Sequence, residues 1–136
     1  MNRIIGLDIG EKRIGLAISD ALNIIATPVS TLAPNDIYLE LQDLVTKYSV
    51  SILVIGYPIN LDGNSTDGTI FADRFINNIK EQLPGIRICK VDERYTSKIA
   101  KKQLIESGIK RKKRQNKSLV DQMSAAIILQ DYLNSQ

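Results

Sequence analysis

Residues 3–19 read Arg-Ile-Ile-Gly-Leu-Asp-Ile-Gly-Glu-Lys-Arg-Ile-Gly-Leu-Ala-Ile-Ser, and the spacing of apolar residues in this stretch decides the fold class. Residues 3–9 form an Ile- and Leu-rich strand, Gly10-Glu11-Lys12 makes a turn, and 13–19 is a second strand carrying small residues. After the break at Ser19-Asp20-Ala21, a third strand-like run extends from Asn23 to Leu32. Breaks this short between strands favour an antiparallel meander.

Beyond Pro34 the period changes. Ile37, Leu41, Leu44, Val45 and Tyr48 recur at three- and four-residue spacing, which predicts an amphipathic helix over 35–48, begun near Asn35-Asp36. Ser51 to Gly56 is a continuous, β-branched apolar run, the signature of a strand buried on both faces. Tyr57 to Asp67 is rich in turn residues; a helix over 67–83 turns Ile70, Phe71, Phe75, Ile76, Ile79 and Leu83 inward and stops at Pro84-Gly85. A strand over 86–92 and helices at 96–107 and 118–134 complete the chain. The order β-β-β-α-β-α-β-α-α implies an α/β fold, a mixed five-stranded sheet in which a three-strand antiparallel meander is followed by parallel strands, flanked by helices. That is the element order of the ribonuclease H-like architecture.

Bulk properties narrow the function. At 136 residues the chain is expected to be a single domain, 1–136, and 43% hydrophobic with 24% charged residues is the balance of an ordinary globular protein. No apolar run reaches bilayer length, and Met1 leads straight into strand pattern without a basic-then-apolar leader, so a cytoplasmic protein without membrane association is expected. The single cysteine, Cys89, rules out a disulfide framework and a thiolate cluster, and its apolar neighbours mark it as a small core residue. The chain has no histidine, which excludes Ser-His and Cys-His triads, His-ligated zinc and a histidine base. Hydrolysis must then rest on carboxylates, Lys, Tyr or hard metal ions. The net charge is only +3, but residues 108–117 read Gly-Ile-Lys-Arg-Lys-Lys-Arg-Gln-Asn-Lys, either a solvated loop or a contact to a phosphate backbone.

Three acids stand out, each with a plain structural explanation beside the chemical one. Asp8 interrupts an apolar strand and needs compensation from Lys12 or Arg13, backbone donors or a metal. Gly6, Gly10 and Gly15 remove side chains around it and permit close approach of a phosphate or of backbone. Glu93 ends a strand, where it could pair with Arg94 or begin the next helix, but strand ends are also where α/β sheets hold ligands. Asp121 sits three residues after Ser118 in a capping-box pattern, yet lies on the helical stripe of Ala125 and Ile128 that should face the sheet. Two strand carboxylates and one on a covering helix can converge on one or two hard cations, Mg²⁺ or Mn²⁺, which together activate water and stabilise a phosphodiester's transition state.

Four ordered stretches resemble the YqgF (RuvX-like) family. They are Gly6-Leu7-Asp8-Ile9-Gly10 with Lys12-Arg13-Ile14-Gly15-Leu16-Ala17, Ile55 to Gly63, Asp92-Glu93-Arg94-Tyr95-Thr96-Ser97, and the helix from Val120-Asp121 to Leu133. The resemblance spans essentially the whole chain. It implies a ribonuclease H-like nuclease that trims the 5′ end of precursor 16S ribosomal RNA, or a Holliday junction resolvase, with Asp8, Glu93 and Asp121 as catalytic and metal-binding acids. Tyr57 departs from the Leu of many relatives and would either stack on a base or pack. The polyanionic substrate would be gripped by Lys12, Arg13, Arg94, Lys98, Lys110, Arg111, Lys112, Lys113, Arg114 and Lys117.

Two other readings compete: a noncatalytic nucleic-acid-binding module, and phosphoryl transfer suggested by Asp8-x-Gly10, which the short chain disfavours because such kinases need two domains. Aromatic residues make up only 5% of the chain, so recognition by shape and backbone, of structured RNA first and branched DNA second, is expected. A resolvase would require a two-fold dimer, whereas RNA trimming is open to a monomer or weak homodimer.

Overall fold

In the computed structural model, residues 2–57, 67–92, 96–106 and 117–136 are described. Five strands, β1 (Ile4–Ile9), β2 (Ile14–Ser19), β3 (Ala26–Leu32), β4 (Ile52–Tyr57) and β5 (Arg87–Asp92), form one sheet in the order β3-β2-β1-β4-β5. β1, β2 and β3 pair antiparallel, and β4 and β5 extend the sheet in parallel from β1. Among the described residues four helices accompany it: α1 (Ile37–Tyr48), α2 (Asp67–Gln82), α3 (Thr96–Glu106) and α4 (Lys117–Asn134). The ribonuclease H-like order expected from periodicity is therefore realised.

Alternation along the strands sorts the core into two layers. Ile5 and Leu7 of β1, with Leu53 and Ile55 of β4, pack under Ile37 and Leu41 of α1 and Phe75, Ile76 and Ile79 of α2. On the opposite face Ile4, Ala17 and Val54 meet Ala125, Ala126, Ile128, Leu129 and Leu133 of α4. β4 thus buries both faces, as its continuous apolar run requires.

Local departures from the expected pattern occur at the start of β3 and at Ile70. The third strand begins at Ala26 rather than Asn23, because Asp20 Oδ1 accepts the Ile24 and Ile25 amides at 2.7 and 2.9 Å and closes a corner before the strand. Those two amide donors also hold the Asp20 carboxyl below its ordinary pKa. Asn23 takes φ 56° in this corner and accepts the Ser19 hydroxyl at 2.6 Å. Ile70, expected inward, is 48% exposed. Cys89 is half-buried against the α4 layer, its Sγ 3.9 Å from the Tyr132 hydroxyl.

Of the two kinds of close approach expected at the glycines, phosphate or backbone, Gly6 and Gly15 show the backbone one. A Cβ on Gly6 would lie 2.6 Å from Leu129 Cβ and 2.9 Å from the Ala125 carbonyl oxygen, and one on Gly15 would overlap the Asp121 carbonyl. The room these residues leave is filled by the backbone of α4, not held open for a ligand. Gly10 does serve a turn, its amide donating to the Arg13 carbonyl at 2.9 Å.

Gly15→Ala should lower unfolding free energy by about 3 kcal/mol, the upper range for overpacking, because helix backbone cannot yield like a side-chain tip. Gly85→Ala, at φ 89° with open space around it, should cost only about 1 kcal/mol. Urea denaturation of the two variants checks the ranking.

Candidate active site

β1 runs toward its C-terminal end with Ile4, Gly6 and Asp8 facing α4, so the strand that carries the acid also carries one of the contacts that seat the helix. In register, Asp8 stands between Gly15 of β2 and Gly56 of β4. Neither neighbouring strand places a side chain directly beside the carboxylate. Gly15 is also where the Asp121 backbone of α4 rests on the sheet. The two acids, distant in sequence, are thereby brought to one cleft of about 370 Å³ lined by Asp8, Gly10, Glu11, Lys12, Arg13 and Asp121.

Arg13 supplies a positive charge inside that cleft. Its Nε donates to Asp121 Oδ2 at 2.6 Å, a half-buried pair with the Asp121 side chain 18% exposed. The turn that bonds Gly10 to Arg13 fixes where the guanidinium stem begins. Lys12 and Glu11 are exposed at the rim.

This contact gives Asp121 a partner outside its own helix. α4 begins at Lys117, so Ser118 lies within its first turn, and Asp121 Oδ2 is turned to Arg13. The Ser118 carbonyl instead accepts the Thr31 hydroxyl at 2.7 Å, tying the helix start to β3. The stripe argument holds: Asp121 lies at the head of the row whose Ala125 and Ile128 are fully buried against the sheet.

Tyr57, at the end of β4, donates its hydroxyl to Asp73 Oδ1 at 2.8 Å, and the Lys90 ammonium sits 4.4 Å from its ring centroid. The Asp73 carboxylate raises the phenol's pKa above its ordinary value, with burial adding to the effect. Of the two roles expected for Tyr57, the structure shows the packed one, with side-chain partners on α2 and β5.

Among the sequence-derived candidates, Asp8, Lys12, Arg13 and Asp121 converge on the cleft, and Lys117 is exposed at the start of α4. Glu93, Arg94, the Lys98 side chain, Lys110, Arg111, Lys112, Lys113 and Arg114 lie outside the described residues. Glu11 lines the cleft without having been singled out; its position in the turn between Asp8 and Arg13 was the available signal. No helix among the described residues is long and apolar enough to cross a membrane.

The RuvX family model, described as Holliday junction resolvase, matches residues 2–135. A Flavobacterium psychrophilum protein described as a candidate pre-16S rRNA nuclease is 44% identical over 133 residues, spanning 98% of this chain and 97% of that protein. A protein of Amoebophilus asiaticus with the same description is 43% identical over 135 residues, spanning 99% and 96%. Thermus thermophilus RuvC, solved in complex with a Holliday junction substrate, aligns with a TM-score of 0.60 at 11% identity, over 99% of this chain and 95% of that one. The yeast mitochondrial Holliday junction resolvase aligns with a TM-score of 0.55 at 12% identity, over 97% and 78%. At such identities the structural likeness speaks for the ribonuclease H-like fold alone.

The Arg13–Asp121 pair is only partly buried, with the Arg13 side chain 38% exposed, which limits its contribution to stability. Arg13→Ala should shift the denaturation free energy by about 1 kcal/mol or less. A chemical denaturation curve measures this, and a midpoint far below wild type would show that Arg13 holds the fold together.

Proposed function

As a member of the RuvX family this chain is a phosphodiester-cleaving hydrolase, and we propose that it is a metal-dependent nuclease processing the 5′ end of precursor 16S ribosomal RNA. Full-length similarity to proteins described as candidate pre-16S rRNA nucleases supports the substrate. The observation that carries the chemistry is the seating of Asp121 on Gly15, directly across from Asp8, so that two carboxylates share one cleft. We read residues 1–136 as one domain of this type, acting in the cytoplasm.

The donor set fits a hard divalent cation. Asp8 and Asp121 offer carboxylate oxygens only, with neither imidazole nor thiolate in the cleft, and oxygen donors suit Mg²⁺ or Mn²⁺. Glu93, matching the family's Asp-Glu-Arg stretch, is the third acid of this reading. Bound between these residues, one or two such ions would activate water and neutralise charge on the phosphodiester and the leaving oxygen.

The chain's own residues do the rest. Arg13 and Lys12 stand at the cleft to attract and orient a phosphate, and Arg13 also holds the Asp121 carboxylate in place through its Nε. Arg94, Lys98, Lys110, Arg111, Lys112, Lys113, Arg114 and Lys117 would extend the cationic footprint along the nucleic-acid backbone. Burial of the stripe below Asp121 keeps that acid at the sheet edge while the helix shields one side of the site from bulk water.

The family description favours a second reading, resolution of branched DNA. It would need two copies related by a two-fold axis to cut symmetry-related strands. Cleavage assays on precursor 16S RNA and on a synthetic four-way junction, each with Mg²⁺ and Mn²⁺, decide between them. Efficient cutting of the precursor and none of the junction is the expected result; the reverse would overturn the RNA assignment.

Asp8→Asn and Asp121→Asn should each reduce cleavage on the order of a thousandfold while leaving nucleic-acid affinity nearly unchanged, since several kcal/mol of transition-state stabilisation is at stake. Single-turnover cleavage beside a filter-binding titration measures both quantities. Undiminished cleavage by either variant would sink the proposed site.

A further inference from the structure

The acidic cleft does not end at Glu11. A second depression of about 380 Å³ is lined by Glu11, Ile70, Phe71 and Arg74, and a third of about 180 Å³ continues past Phe71 and Arg74 to Asn35, Tyr38 and Asn78. Each shares lining residues with the next: Glu11 joins the first two, and Phe71 with Arg74 joins the last two. The three depressions follow one another along shared side chains, from the Asp8–Asp121 site to the seam between α1 and α2.

The lining of that seam has a definite chemistry. Phe71, Arg74 and Asn78 recur at three- and four-residue spacing and so form one face of α2. Phe71 is half-buried, and Arg74 and Asn78 are exposed. The floor is firm: the Tyr38 and Phe75 rings stack with centroids 5.6 Å apart at 24°, and Asn78 Nδ2 donates to the Tyr38 hydroxyl at 3.3 Å. An aromatic edge, one cation and two amides beside a phosphodiester cleft match what a single strand presents: a base to stack, a phosphate to pair and base edges to hydrogen-bond.

The exposed Glu11 carboxylate at the junction narrows the ligand further. It repels a phosphate, so a strand passing there must turn its sugar toward it. A ribose offers a 2′-hydroxyl that the carboxylate can accept, and deoxyribose offers no such donor.

We propose that the groove running from Glu11 through Phe71 and Arg74 to Tyr38 and Asn78 binds the single-stranded RNA flanking the cleaved bond. This rests on the nuclease reading above. Phe71 stacks a base, Arg74 pairs a phosphate, and Glu11 favours ribose over deoxyribose.

The test measures binding of single-stranded RNA in a short and a long form, the short one able to fill only the acidic cleft. Phe71→Leu keeps apolar volume and removes the ring, and Arg74→Gln alters an exposed residue, so folding is preserved in both. Lys80→Gln, in the last turn of α2 and outside the groove lining, is the control. The long RNA should lose about tenfold in affinity in Phe71→Leu. In Arg74→Gln, the slope of log affinity against log salt should fall by about 0.7, one single-strand phosphate. The short RNA and the Lys80→Gln protein should behave as wild type, and a DNA strand of the long sequence should bind more weakly than RNA until Glu11→Ala removes the difference. Long-RNA affinity unchanged in both groove variants overturns the groove while leaving the cleft reading intact. Equal binding of RNA and DNA by wild type overturns the role of Glu11. A wild-type protein that neither binds nor cuts any RNA overturns the nuclease reading, and the groove with it.

Discussion

The contact on which the rest of the molecule depends is the close seating of α4 against the sheet at Gly6 and Gly15. Side chains at either position would meet the helix: Leu129 and Ala125 above Gly6, and the Asp121 carbonyl above Gly15. Protein interiors are packed to crystal-like density, so a missing Cβ is filled by whatever can approach, and here that is helix backbone. Once seated, α4 buries Ala125, Ile128 and Leu129 completely against Ala17 and Val54. The same approach fixes the height of Asp121 above β2. Core packing and site geometry are consequences of one contact.

That coupling explains the charge arrangement. Asp8 and Asp121 line one cleft, and carboxylates gathered in one place call for a compensating positive charge. Arg13, at the start of β2, supplies it with a 2.6 Å bond to Asp121 Oδ2. Its backbone is tethered by the Gly10 turn, so the cation enters from the same loop that links the acid-bearing strand to its neighbour. Carboxylates gathered beside a short cationic loop suit an anionic substrate, in which each phosphate can replace part of that compensation.

The helices on the other face have a separate part. α1 and α2 cover Ile5, Leu7, Leu53 and Ile55 with Leu41, Phe75 and Ile79, yet their seam leaves Tyr38 and Phe71 half-buried. Tyr57 is held by Asp73 and Lys90, so its aromatic surface belongs to the α2–β5 packing. Half-buried aromatic surface is thus left along the α1–α2 seam.

Much of this was legible in the linear chain. Alternation in 3–19, the continuous apolar run at 51–56 and the three-and-four spacing after Pro34 are local signals, because strand and helix periods come from backbone geometry alone. They settle the element order, and the absence of histidine settles that any hydrolytic site must be built without imidazole. The glycines around Asp8 were visible too, as places for a phosphate or backbone to approach, but an omitted side chain does not say which of the two fills the space. That α4 fills it, that Asp121 binds Arg13 across 108 residues, and that Glu11 borders two depressions are all outcomes of packing. Such contacts are decided only in the tertiary structure, because they depend on how distant elements dock, and no local period encodes that.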